Sequence, residues 1–90
     1  MSTKIQQYRA AYKALEFAQK ELHAATKLAY PIGLAVVSHL REYPIYGHIS
    51  GYGNAWTDPG CVYVQNEKTG KEHRAYPMME RNGRAGVTRR

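Results

Sequence analysis

Between residues 30 and 82, short apolar or alternating stretches are cut by Gly, Pro, Asn and Asp clusters about every 8–12 residues, the spacing of a chain of hairpins. The run opens with Tyr30-Pro31-Ile32-Gly33 and continues through Gly47, Gly51-Tyr52-Gly53-Asn54, Asp58-Pro59-Gly60 and Lys68-Thr69-Gly70 to Tyr76-Pro77. Asp58-Pro59-Gly60 is the strongest turn signal, because proline presets φ and glycine accepts positive φ. This punctuation predicts strands at 34–40, 45–52, 61–66 and 71–76, a turn at 41–44 and a short 3₁₀ turn at 77–80.

The remaining segment has a different period. Residues 3–29 contain no Gly or Pro and are rich in Ala, Lys, Gln, Glu and Leu, all good helix formers. Thr3 and Gln6 match a capping box, and Pro31 disfavours helix at Tyr30. The expected fold is therefore α+β: a long N-terminal amphipathic helix followed by a small antiparallel SH3-like β-barrel over 30–82. Residues 83–90, polar and basic, are expected to be a flexible tail. Ninety residues allow one domain with a small core.

Ile5, Tyr8, Tyr12, Leu15, Leu22 and Ala29 fall on one helical stripe, interrupted by Gln19 and Thr26. Ala11, Ala18 and Ala25 run beside it at intervals of seven. Such a face packs on the barrel, on another helix, or on both, which makes Tyr8, Tyr12, Leu15 and Leu22 candidate interface residues and a homo-oligomer a candidate state. If buried, Leu15 and Leu22 should each cost roughly 2–4 kcal/mol on truncation to Ala. Lys13, Lys20 and Lys27 form a ridge bordered by Arg9 and His23, suited to a phosphate backbone or to solvent. Phe17 lies off the stripe.

The net charge is +6, with five Lys/Arg against two Glu before residue 31 and seven against three after residue 65. Basic ends around a near-neutral middle favour polyanion partners, either nucleic acid or an acidic host protein. The single cysteine, Cys61, excludes an intrachain disulfide and fits a buried thiol. The sequence has no secretory or membrane-spanning apolar run, so the expected location is the cytoplasm, with no membrane partner. His23, His39, His48 and His73 have no metal-ligand spacing. His39 and His48 are expected to face each other across a hairpin. No acid–base pair stands out among the carboxylates. No cofactor, metal or enzymatic activity is therefore expected.

Aromatic residues carry the binding signal. There are eight Tyr, one Trp and one Phe. Alternation puts Ile45, Gly47, Ile49 and Gly51 on one strand face and Tyr46, His48, Ser50 and Tyr52 on the other. Tyr46, Tyr52 and Trp56 are candidate platforms for bases or a protein partner, flanked by Lys68, Lys71, Arg74 and Arg81.

The layout of residues 30–82 resembles the SH3-like barrels of phage and plasmid accessory proteins. It is similar in outline to the plasmid-borne type II dihydrofolate reductases, sharing a glycine-spaced second strand (Gly47, Gly51), a Tyr-Pro pair (Tyr76-Pro77) and a late Glu-Arg (Glu80-Arg81). That family places Val-Gln-Ile-Tyr before its proline to line the catalytic pore. Here His73-Arg74-Ala75-Tyr76 stand there, so only the tyrosine matches, and the reductase activity is not carried over. Size, basicity and the aromatic face leave two expected readings for such an accessory protein in a bacterial host cell: a non-enzymatic barrel contacting nucleic acid, or alternatively a protein-binding inhibitor or adaptor acting on a host nucleic-acid enzyme.

Overall fold

A computed structural model describes residues 3–39, 43–78, 80–81 and 84–90. Helix α1 spans Lys4–Ala29. Its start is the expected capping box: the Gln6 amide donates to Thr3 Oγ1 (3.1 Å) and the Thr3 amide to Gln6 Oε1 (3.0 Å). The Tyr30 amide makes the last helical bond, to Thr26 O; Pro31 has no amide hydrogen with which to continue it.

Among the described residues, seven strands succeed the helix: β1 (Ala35–Ser38), β2 (Ile45–Tyr52), β3 (Val62–Asn66), β4 (Glu72–Ala75), β5 (Glu80–Arg81), β6 (Arg84–Ala85) and β7 (Val87–Arg89). Five form an antiparallel sheet in the order β4-β3-β2-β1-β7, and β5 pairs with β6 in a separate two-stranded sheet. The first four make a meander, and the chain then returns to pair β7 with β1, Ser38 opposite Val87 and Val36 opposite Arg89. The edge strands β4 and β7 are not paired with each other among the described residues.

The C-terminal segment departs from expectation. Residue 83 of the expected tail lies outside the described residues; Arg84–Ala85 and Val87–Arg89 are strands rather than a flexible tail, and the last is held because Val87 enters the core and the Arg90 amide bonds Ala35 O. Likewise, the 77–80 turn is shorter than expected, since Glu80 already belongs to β5. The first strand is also shorter than 34–40, and residues 40–42 of that strand and its turn lie outside the described residues.

The core is small: Val36, Ile49, Val62, Val64, Ala75 and Val87, with Tyr30, Leu34 and Tyr52 packed against it. Gly47 permits the close approach of β3, since a Cβ there would collide with the Gln65 carbonyl oxygen. The register slips between Ile49 (opposite Val64) and Gly51 (opposite Tyr63). This bulge leaves Ser50 as the extra residue and reverses the facing of the rest of the strand. Tyr52 therefore turns onto the core instead of joining Tyr46 and His48 on the outer face.

The helix touches the sheet through its C-terminal half. Gln19 Nε2 donates to Trp56 O (2.8 Å), Thr26 is buried beside Pro59, and Leu22 faces Gly60. The expected burial of the apolar stripe does not occur within one chain: Tyr8 is 67 % exposed, Leu15 53 % and Leu22 48 %. The loop 56–60 bonds α1 at Gln19 and Thr26 and shares a cleft with Tyr12, Leu15 and Glu16; the turns before these project beyond it, and the molecule is 59 Å long but only 26 by 18 Å across.

Candidate functional site

The expected basic–aromatic face divides into separate clusters. On the outer face of the sheet, two arginines each lie over a tyrosine and bind a carboxylate. Arg74 sits over Tyr63 (6.0 Å to the ring centre) and 3.7 Å from Asp58 Oδ2. Arg90 sits over Tyr46 (5.8 Å), pairs with Glu67 and donates to Gly47 O (2.9 Å). Each ring thus has a cation against one face, and both cations already have an anion. Arg90 holds the Glu67 carboxyl below the usual range, chiefly by hydrogen bonding. Asp58 accepts from the Tyr76 hydroxyl (2.9 Å) and pushes that phenol upward.

Lys68 and Lys71 are exposed on the β3–β4 turn. Lys68 borders an open cleft of about 380 Å³ beside Tyr43, Tyr46 and Arg90. The Arg81 side chain lies outside the described residues. Tyr52 is a joint rather than a platform: its hydroxyl donates to Tyr30 O (2.8 Å), and the His23 ring meets it edge-on.

Trp56 lies on the helix side of the molecule. Asn54 Oδ1 accepts from the amides of Trp56 (2.8 Å) and Thr57 (3.2 Å), which fixes the loop, while the indole stays 48 % exposed. Lys20 Nζ is 5.4 Å from its ring centre, and Lys27 Nζ is 5.8 Å from the Tyr52 ring. At about 100° per residue, Arg9, Lys13, Lys20 and Lys27 fall within a strip roughly 40° wide on α1. At 1.5 Å per residue the row is about 27 Å long. Glu16 borders it. Among the described residues, the ion pairs are Arg74–Asp58 and Arg90–Glu67, and neither uses a cation of this row.

The histidines lie apart. His39 Nε2 is 3.0 Å from Thr88 Oγ1, and His73 Nε2 is 3.0 Å from Ser38 Oγ. His48 stands opposite Ala35 and Gln65, not His39, because the β1–β2 register sets Ser38 against Ile45 and leaves His39 beyond the ladder. Among the described residues no group of three or more His, Cys, Asp or Glu is placed to hold a metal ion, and no helix is long and apolar enough to cross a membrane.

Sequence reasoning missed Arg90, Tyr63 and the Lys20–Trp56 pair. Arg90 was hidden by the polar composition around it, and Val87, between Gly86 and Thr88, is too short a signal to mark a strand. The Lys20–Trp56 contact joins residues distant in the chain and depends on how the 53–61 loop meets the helix, which no local pattern encodes. Compared with known protein families, curated proteins and solved structures, the chain matches none.

Proposed function

We propose that this chain is a small, basic, non-enzymatic binding module that contacts nucleic acid along the cation row of α1, with Trp56 as a stacking platform. The strand order supports an SH3-like architecture, since a four-strand meander with a fifth strand returning to the first is that layout. The observation that carries the proposal is the row Arg9, Lys13, Lys20 and Lys27 running beside a half-exposed indole, with Lys20 over its ring. A row of cations tracks a phosphate backbone, and an adjacent aromatic face stacks a base. Relative to the sequence expectation the contact surface moves from the fourth strand to the helix: Arg74 is paired with Asp58, whereas Lys20 of the helix row lies over the Trp56 ring. Fluorescence anisotropy with labelled single- and double-stranded oligonucleotides tests it. The expected result is binding at low salt whose log K falls linearly with log salt; no binding to any DNA or RNA at low salt would refute it.

A second reading is favoured by a different observation. Tyr8, Leu15 and Leu22 are large, apolar and about half or more exposed along one helix, as in a protein-docking surface. Here the module is an adaptor or inhibitor. Its expected signature is stoichiometric capture of one protein, unaffected by nuclease and lost in Leu15→Glu.

A further inference from the structure

The apolar surface of α1 contains a seam more regular than the stripe seen in the sequence. Tyr8, Ala11, Leu15, Ala18, Leu22 and Ala25 are spaced alternately three and four apart, without interruption, and large and small residues alternate along it. The seam is open to solvent: Tyr8, Leu15 and Leu22 are each about half or more exposed. Gln19 and Thr26, which interrupt the stripe, lie to one side, where the loop around Trp56 and Pro59 covers them.

We propose that this seam binds α1 of a second copy, antiparallel, independently of any nucleic-acid contact. In the register that sets Leu15 against the partner's Ala18, every layer places a large residue on a small one: Tyr8 on Ala25, Leu22 on Ala11, and the reverse. A parallel pair would instead stack Tyr on Tyr, Leu on Leu and Ala on Ala, alternating crowded and empty layers, which close packing disfavours. The Tyr8–Ala25 layer falls at an apolar groove of about 300 Å³ lined by Leu22, Ala25, Ala29, Tyr76, Pro77 and Met78. The groove gives the partner's Tyr8 ring a place to lie.

Charge supports the same arrangement. The cation row Arg9, Lys13, Lys20 and Lys27 lies about 165° around the helix from the seam, so two basic chains can meet without opposing those charges. Lys4, at the start of the seam, reaches the carbonyl end of the partner's helix, where a cation is favourable. In a parallel pair it would face another Lys4. A contact along all 26 residues of α1 is about 39 Å long. It would bury on the order of 1,000 Å² in total, near the lower bound for a specific dimer.

Sedimentation of the full chain at micromolar concentration tests the pairing. The expected species has twice the 10.2 kDa chain mass. Leu15→Glu and, separately, Ala18→Glu should raise the monomer–dimer midpoint at least about tenfold by burying a carboxylate in the seam. Both positions lie on the open face of the single chain, so the circular dichroism should be unchanged. For orientation, Tyr8→Cys mixed with Ala25→Cys should give the mixed disulfide in preference to either self-disulfide. A monomer at every concentration, dimerisation untouched by both glutamates, or preferential 8–8 and 25–25 disulfides would each overturn the proposal. Oligonucleotide binding by a monomeric wild type would overturn the pairing while leaving the nucleic-acid reading standing.

Discussion

His73 Nε2 lies 3.0 Å from Ser38 Oγ, joining β4 to β1 across an interval in which the sheet places β3 and β2. Two strands with two others between them meet only if the sheet curls over its inner face. Ser38 is fully buried, so its hydroxyl depends on a protein partner. The curl encloses the small core and leaves the outer face to the two arginine–tyrosine stacks.

Replacing His73 with Leu should leave the buried hydroxyl of Ser38 without this partner and destabilise the fold by about 1–3 kcal/mol. Urea unfolding of the single variant measures it. Ser38→Ala combined with His73→Leu should cost less than His73→Leu alone, since no orphaned hydroxyl remains. Equal midpoints for the wild type and His73→Leu would show that the bond does not hold the sheet in its curl.

The last strand should be essential. Val87 is almost fully buried, and Val87→Ala should cost roughly 1–3 kcal/mol, read from the urea midpoint. Arg90→Ala should loosen the same edge with a pH signature. Arg90 holds Glu67 below its ordinary value, so the pair's stabilisation is present above the usual glutamate range, near about 4.3, and is lost as pH falls through the lowered value. The difference in thermal midpoint between wild type and Arg90→Ala should therefore shrink on acidification. A difference independent of pH would contradict the pairing.

Cys61 should behave as a buried thiol. Burial, reinforced by Asp58, pushes it up to about 11. It should stay unreactive to a thiol reagent at about pH 7–8 until the protein unfolds. The folded state favours the neutral thiol, so its contribution is intact below the ordinary thiol value of about 8.5 and is lost as pH rises toward the raised value. Stoichiometric labelling of the native protein within minutes under the same mildly basic conditions would contradict this.

The sequence made the helix, its capping box, the proline stop and four of the strands legible because those signals are local. The bulge at Ser50 was not legible, since a one-residue slip depends on cross-strand packing, and it is what turned Tyr52 inward. Leu15 and Leu22 carry the periodicity of a buried stripe, but periodicity does not say whether the cover is the same chain. Their truncation to Ala should cost the single chain well under the roughly 2–4 kcal/mol expected for burial. Arg74 reads as a free cation until Asp58, brought across from the 53–61 loop, is seen beside it.

The salt dependence of oligonucleotide binding in two double variants is the most direct test. Lys13→Ala with Lys20→Ala removes two cations of the helix row; Lys71→Ala with Arg74→Ala removes two from the sheet side. The first should lower the slope of log K against log salt by roughly one to two units, and the second should leave it nearly unchanged. An unchanged slope in the helix variant with a reduced slope in the sheet variant would contradict a nucleic-acid contact along α1.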